Sequence, residues 1–237
     1  MKRTILLVGL ALVAPVAQAF IVIDTFEQGY HKATIIGEGG RTNLATGLDR
    51  DKVFAGHRFT FYTVNGNPFG YTTTFEVGLG EARVTTPGPN DLSTELEFGY
   101  GKNFHAPLDL DLSWFQGPGE LFEIDLATDP PNLFAEVWSI NVKDGQGRSS
   151  TNSRPGLRAG GIDFRKDGFV GNPNIDWSDI QTMSFRQSWN RQNTAPLSYW
   201  ATEFRAVPEP GTGVILLAAA LGAAARRRLR PVRQTPR

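Results

Sequence analysis

Carboxylate side chains occur in three pairs whose members are two residues apart. Because successive side chains of a strand point to opposite faces, the members of a pair share one face, about 7 Å from each other. Two carboxyl groups at that spacing fit the general acid and general base of an inverting glycoside hydrolase. Outward positions of half-buried strands are also ordinarily polar, so three equivalent pairs favour strand patterning over catalysis. The pairs are Glu95 and Glu97, Asp109 and Asp111, and Glu123 and Asp125.

The three histidines, His31, His57 and His105, are scattered and form no closely spaced metal motif. The chain contains no HExxH sequence, no GxSxG nucleophile elbow and no phosphate-binding glycine loop. It has no cysteine, which excludes thiolate catalysis, disulfide bonds and cysteine-bound zinc. We therefore predict no catalytic residue and no obligatory cofactor.

Oxygen-bearing side chains alternate along residues 172–179, Asn-Pro-Asn-Ile-Asp-Trp-Ser-Asp. Calcium takes six to eight oxygen ligands, so Asn172, Asn174, Asp176 and Asp179 form a candidate calcium site. The segment lacks the full EF-hand pattern and its closing glutamate. A turn in which Ser178 or Asp179 caps the next element explains the same residues without a metal. Both interpretations remain open at this point.

Tryptophan side chains offer flat apolar faces against which sugar rings can stack. Trp114 and Trp189 each neighbour polar turn residues, so we predict that these two contact a ligand. Trp138 instead lies in an alternating run with Phe134, Ile140 and Val142, which predicts a core position.

About ten short runs of strand type, separated by turns rich in Gly, Pro, Asn and Asp, occupy residues 20–206. In the runs Leu108–Leu112 and Leu121–Leu126, apolar and acidic residues alternate, which predicts strands with one buried face. No helical period is sustained, so we predict an all-β fold, an antiparallel β-sandwich. Residues 108–205 resemble the jelly-roll sandwiches of carbohydrate-binding and galactose-binding-like modules. The resemblance is carried by the runs 121–126, 137–145 and 175–185, and it supports the fold more than a function.

The charge of this predicted domain differs from that of the whole chain. The whole chain has 24 basic and 24 acidic residues, but eight of the basic ones and one acidic one lie outside 20–206. The domain therefore carries 16 basic and 23 acidic residues, a net charge of about −7. Nucleic-acid binding needs clustered Lys and Arg, so we predict no nucleic-acid partner.

The first 19 residues have the three parts of a secretory signal peptide. Lys2 and Arg3 precede an apolar run, Ile5–Ala14, and Ala17-Gln-Ala19 fits the cleavage site. We predict a signal peptide at 1–19 and a mature chain that begins at Phe20, in a compartment outside the cytoplasm.

The other end combines a short motif, an apolar run and a basic block. Pro208-Glu209-Pro210 precedes the uncharged residues 211–225, which Arg226, Arg227 and Arg228 terminate. A helix over 211–225 spans about 22 Å against a hydrocarbon core of about 30 Å, so it predicts a short transmembrane helix. The positive-inside rule places the arginines in the cytoplasm, with 231–237 as a cytoplasmic tail, and the Pro-Glu-Pro motif outside.

Those three parts, in that order over residues 207–230, resemble the PEP-CTERM sorting signal of Gram-negative bacterial proteins. The resemblance implies that a membrane-embedded exosortase recognises Pro208, Glu209 and Pro210 during sorting at the inner membrane. It also implies a final location at the cell surface or in the extracellular matrix, usually in bacteria that make extracellular polysaccharide. A C-terminal anchor that is never cut is the alternative.

Two functional classes follow for the sandwich itself. The first is a non-catalytic surface or matrix protein that binds or packs with extracellular polysaccharide, and the second is a secreted polysaccharide hydrolase. The missing catalytic signature favours the first. A purely structural surface protein with no specific ligand is a third class, which the sequence does not separate from the first.

Overall fold

The computed structural model describes residues 20–86, 92–115, 117–129, 136–155, 160–191 and 197–207. The predicted signal peptide and the predicted C-terminal helix lie outside these residues. Within them, no helix has the length and apolar character needed to cross a membrane.

Alternating buried and exposed side chains define most of the fourteen strands. In β8, for example, Phe122, Ile124 and Leu126 are buried as predicted, while Glu123 and Asp125 are partly exposed. The strands are β1 Ile21–Asp24, β2 His31–Ile36, β3 Gly39–Thr46, β4 His57–Gly66, β5 Thr72–Gly78, β6 Glu81–Thr86, β7 Leu92–Gly101, β8 Glu120–Asp129, β9 Glu136–Asp144, β10 Ser149–Pro155, β11 Gly160–Arg165, β12 Val170–Gly171, β13 Ile180–Arg191 and β14 Leu197–Ala206. A single 3-10 turn, Lys166–Gly168, separates β11 from β12.

The strands form two seven-stranded antiparallel sheets. The first sheet has the order β11-β8-β14-β6-β5-β2, and β1 also pairs with β14. The second sheet has the order β12-β10-β9-β13-β7-β4-β3. The predicted antiparallel β-sandwich is thus confirmed.

Aromatic side chains fill the space between the two sheets. Trp138 of β9 is 1% exposed, stacks on Phe185 of β13 at 5.0 Å between ring centroids, and meets Tyr199 of the first sheet edge-on at 6.0 Å. Phe185 also lies 5.7 Å from Phe204 of β14. Because rings from both sheets interlock, the predicted core role of Trp138 is confirmed.

The prediction of a strand at Leu108–Leu112 is wrong. Asp109 has a φ of 51°, which breaks the extended backbone, and the segment forms only an isolated bridge between Leu110 and Ile180. Leu108, Leu110 and Leu112 are nevertheless buried, because their N–H groups bond the carbonyl oxygens of Gln181, Ile180 and Trp177 at 2.7–3.2 Å. The alternating pattern predicted the buried positions but not the conformation.

A buried ion pair crosses between the sheets. Asp24 at the end of β1 accepts hydrogen bonds from Arg58 Nη1 at 2.9 and 3.1 Å and from the Tyr100 hydroxyl at 2.9 Å. Arg58 also donates to the carbonyl oxygens of Gln28 and Gly29 at 2.6 and 3.0 Å. Asp24, Arg58 and Tyr100 are all fully buried, so this network fixes the N-terminal strand to β4 and β7 of the opposite sheet.

Candidate functional site

The outer face of the second sheet carries a broad set of hydroxyl and amide groups. Tyr62 of β4, Phe98 of β7 and Phe185 of β13 are buried in the core, so the alternate residues of these strands face outward. We call this surface the hydroxyl face. Its outward hydroxyl and amide residues are Thr42, Ser139, Asn141, Thr151, Ser153, Ser184 and Ser188.

Phenyl rings lie at one side of the hydroxyl face. Phe59 and Phe61 occupy successive outward positions of β4 and are partly exposed. The ring of Phe104 lies against Gly99 of β7 and stacks on Phe59 at 5.2 Å between centroids. A Cβ atom at Gly99 would lie 2.4 Å from that ring, so the glycine is what admits Phe104. The result is a fixed apolar platform beside the polar rows.

Strand register aligns the platform with polar groups across the sheet. Phe61 stands opposite Glu97, Glu97 opposite Arg186, and Arg186 opposite Ser139. Arg186 Nη2 is 2.5 Å from Glu95 Oε2. In the next row, Asn141 Nδ2 donates to Thr151 Oγ1 at 2.7 Å. The five spacings from β3 to β10 give the face a width of about 24 Å.

The outer face of the first sheet carries several ion pairs, together with threonine hydroxyls and the ring of Trp200, over which Arg83 lies at 4.5 Å. Arg205 of β14 reaches Glu123, Asp125 and Glu203 at 2.8–2.9 Å. Burial acts to lower the pKa of Arg205, but the hydrogen bonds that Arg205 donates to Glu203 and Glu123, with the negative charges of Glu123 and Asp125, raise it overall. On the same sheet Lys32 lies 3.4 Å from Glu76. These charges satisfy one another, whereas the hydroxyl face offers many neutral donors and acceptors.

The three carboxylate pairs have separate surroundings. Glu95 and Glu97 lie on the hydroxyl face, and Glu123 and Asp125 are held by Arg205. Asp109 and Asp111 lie in the irregular segment, where Asp111 Oδ1 accepts the N–H of Ser113 at 2.8 Å. Two of the pairs therefore follow the strand alternation as expected, and in the third pair Asp111 caps a turn.

Trp114 and Trp189 are the two tryptophans predicted to contact a ligand. Trp114 is half-buried against Phe115, and its Nε1 donates to the carbonyl oxygen of Asp111 at 2.9 Å. Trp189 lies in β13 opposite Thr94, and its side chain is outside what the structure describes. Their contact with a ligand stays a prediction.

In the candidate calcium segment, side-chain oxygens bond neighbouring groups. Asn172 Oδ1 accepts the N–H of Asn174 at 2.9 Å, and Asp176 Oδ1 accepts the N–H and hydroxyl of Ser178 at 3.0 and 2.6 Å. Asp179 Oδ1 accepts from Gln181. Among the described residues, no group of three or more His, Cys, Asp or Glu side chains is placed to hold a metal. Calcium binding by this segment stays a prediction.

The sequence prediction missed the platform although its signal was present. Residues 57–64 alternate aromatic and polar types, which indicates a strand. The alternation does not indicate which of the two sets of side chains points to solvent. Phe104 belongs to a turn distant from β4, so only the tertiary structure stacks it on Phe59.

His57 is a buried histidine with both ring nitrogens bonded. Nδ1 lies 2.9 Å from the carbonyl oxygen of Ala55, and the N–H of Gly101 donates to Nε2 at 3.1 Å. Burial lowers the pKa of His57 below 6.5, and nearby His105 and Arg50 act in the same direction. These contacts hold the ring neutral, with the proton on Nδ1.

We expect the sandwich to lose stability as the pH falls below about 6.5. There the unfolded chain takes up a histidine proton more readily than folded His57 does, so His57 alone lowers the free energy of unfolding by at most about 1.4 kcal/mol per pH unit. Urea unfolding of residues 20–207 at pH 7.5 and 5.5 measures the drop. His57→Gln should reduce this slope but not remove it, since burial also lowers the pKa of His31. An unchanged slope in that variant would contradict the assignment.

Comparison with known proteins gives two kinds of similarity. No curated protein sequence matches the chain. Among solved structures, a family 11 carbohydrate-binding module of a cellulosomal cellulase of Clostridium thermocellum is 13% identical, with 79% of this chain and 94% of that chain covered and a TM-score of 0.35. A family 30 carbohydrate-binding module from a cellulosomal cellulase of the same organism is 15% identical over 81% of this chain and 99% of that chain, with a TM-score of 0.37.

An agarase is also similar, at 13% identity and a TM-score of 0.38, over 61% of this chain and 23% of the agarase. With TM-scores this low, the fold assignment rests on the strand pairing described above, and no ligand is inferred from these proteins.

The sorting signal is identified by sequence. The PEP-CTERM protein-sorting motif matches residues 206–228, and β14 ends at Ala206, the first matched residue. The match includes Pro208-Glu209-Pro210, the predicted recognition motif, and the arginine block Arg226–Arg228. The chain is therefore a protein that carries a PEP-CTERM sorting motif directly after the last strand of its β-sandwich.

Proposed function

We propose that this chain is an exported surface protein, sorted by an exosortase, whose non-catalytic sandwich binds extracellular polysaccharide through the hydroxyl face. The sorting motif supports the surface location. The observation that carries the binding proposal is the platform of Phe59, Phe61 and Phe104, which lies beside rows of neutral hydroxyls and amides on the second sheet.

The chemistry of the hydroxyl face matches that of a sugar chain. A pyranose ring has an apolar C–H surface and a rim of hydroxyl groups. The phenyl rings can bury the C–H surface, because aromatic side chains combine large apolar area with fixed geometry. Ser, Thr and Asn side chains both donate and accept hydrogen bonds, as a sugar hydroxyl also does. A face about 24 Å wide takes several sugar units of one polymer.

The charge beside the platform favours an uncharged polymer. Glu97 stands opposite Phe61 in the register, whereas Glu95 is paired with Arg186, and Lys143 of β9 also faces outward. The domain as a whole has a net charge of about −7. A polyanion would meet like charge at the platform and across the domain, and like charges at an interface lower affinity.

Phe61→Ala is expected to weaken binding of an uncharged polysaccharide by about tenfold, since one buried aromatic contact contributes on that order. Affinity electrophoresis or calorimetry with residues 20–207 measures the change across a panel of neutral and acidic polymers. Phe69→Ala is the matched control, because Phe69 is also exposed (65%) but lies in the β4–β5 loop, off the hydroxyl face.

Equal losses in both variants, or tighter binding to acidic polymers, would contradict the proposal. A parallel assay for release of reducing ends tests the hydrolase alternative. If ends are released and Glu97→Gln abolishes that release, the sandwich is an enzyme and the non-catalytic proposal is wrong.

A further inference from the structure

The two ends of the described chain lie side by side. β1 pairs antiparallel with β14, so that Ile21 stands opposite Ala206 and Val22 opposite Arg205. The ring of Phe20, the residue after the predicted signal-peptide cut, lies 5.2 Å from the Arg205 guanidinium. Arg205 is itself held by Glu123, Asp125 and Glu203. The end of β14 is thus fixed from several sides.

Only one residue separates the sandwich from the core of the sorting motif. Ala206 pairs with Phe122 of β8, and the N–H of Val207 donates to the carbonyl oxygen of Leu121 at 3.0 Å. The next residues are Pro208, Glu209 and Pro210. Because proline has no N–H to donate, Pro208 cannot extend this ladder, and the motif begins directly after the last residue that the structure describes.

This spacing limits how far an enzyme can stand from the sandwich. An extended chain covers at most about 3.3–3.6 Å per residue, so Pro210 lies within about 11 Å of Val207. A protease that encloses this motif must therefore touch the end of the sandwich from which the motif leaves.

The surface at this end has the character of a protein contact. Phe20 is 56% exposed, and an exposed aromatic is typical of interface anchors. At the same end of the sheet, Glu120 at the start of β8 and Arg165 at the end of β11 stand opposite each other and are exposed, as is Asp167 just after β11. Charges of both signs do not form the basic cluster that anionic lipid attracts. These residues favour a protein partner over a lipid surface.

We infer that the end of the sandwich formed by Phe20, Glu120 and Val207 is a docking surface for the enzyme that acts on the sorting motif. The inference rests on the proposed sorting of this chain. In this arrangement the intact sandwich, as well as the motif, is recognised, and β14 stays paired while the tail is removed.

The test follows tail removal from the full chain, expressed with the sorting enzyme, as a shift in mass over time. Glu120→Arg and Phe20→Ala should each slow removal by about tenfold, the effect expected of an interface anchor. Phe69→Ala, in the β4–β5 loop, is the matched control and should not change the rate. Insertion of about six Gly and Ser residues after Val207 should give Glu120→Arg the same rate as the chain with Glu120, because the enzyme can then reach the motif without contacting the sandwich.

A disulfide separates docking from local unfolding. The chain has no cysteine, so Ile21→Cys with Ala206→Cys gives one defined bridge between directly opposite residues, a spacing that disulfides accept. We expect the bridged chain to be processed at the wild-type rate. A blocked bridged chain that is restored by reductant would overturn the inference, because it would show that β14 must open. Unchanged rates in both Glu120→Arg and Phe20→Ala would overturn it as well.

Glu209→Ala distinguishes this inference from the sorting proposal beneath it. Loss of processing in that variant, with wild-type rates in Glu120→Arg and Phe20→Ala, would contradict the docking surface and leave the sorting proposal standing. A wild-type chain that keeps its tail in the presence of the enzyme would contradict the sorting proposal and the docking surface together.

Discussion

Arg58→Leu is expected to lower the free energy of unfolding by about 3–5 kcal/mol, because it leaves a buried carboxylate without its partner. Within the described part of the chain, Asp24 would keep the Phe26 N–H and the Tyr100 hydroxyl as its donors. Burial raises the pKa of Asp24 against the influence of Arg58, because an ionised carboxylate is disfavoured away from water. Urea unfolding of residues 20–207 at pH 7.5 measures the loss.

The double variant Asp24→Leu, Arg58→Met provides the control for this prediction. Replacing both members of a buried ion pair with apolar residues is often neutral or stabilising, whereas breaking the pair is not. We therefore expect the double variant to be less destabilised than the sum of its two single variants. Losses that simply add would show that the two side chains are not coupled, and a loss below about 1 kcal/mol for Arg58→Leu would contradict the prediction.

Trp138→Ala is expected to lower the free energy of unfolding by about 3–5 kcal/mol, because it leaves a cavity between the sheets. The indole contacts Phe185 of its own sheet and Tyr199 of the other sheet, so its removal eliminates a ring contact to each sheet. Thermal unfolding followed by near-ultraviolet circular dichroism reports both the stability and the loss of fixed aromatic packing.

Trp138→Phe is the matched variant for the cavity argument. Among the residues that the structure describes, the indole Nε1 finds no hydrogen-bond acceptor, and such a buried group costs about 1–3 kcal/mol. Phenylalanine keeps a ring against Phe185 and removes that group, so we expect a loss below about 1.5 kcal/mol. Equal losses for the alanine and phenylalanine variants would mean that ring packing does not determine the stability.

The sequence predicted strands best where one face meets the core. In β8 and β9 the apolar positions recur every second residue, and the buried side chains are those the pattern indicates. Three strands, β3, β10 and the two-residue β12, have no alternating apolar run from which a strand could be predicted. In β10 the buried positions hold Ser150 and Asn152, and Asn152 Nδ2 donates to the carbonyl oxygen of Arg165 at 2.7 Å. At Asn152 a buried hydrogen bond replaces the usual apolar contact. The periodicity of apolar residues cannot indicate such a position.

The sequence alone determined the sorting motif, the all-β class and the burial of Trp138, because each depends on residues close together in the chain. Pairing between distant strands decided the rest. β4, β7 and β13 are neighbours in the second sheet although long segments separate them, and their register brings Phe61, Glu97 and Arg186 into one row. The same long-range packing buries Asp24 against Arg58 and places Ile21 beside Ala206. Alternation fixes which residues share a face, but only the register of remote strands fixes which side chains meet on it.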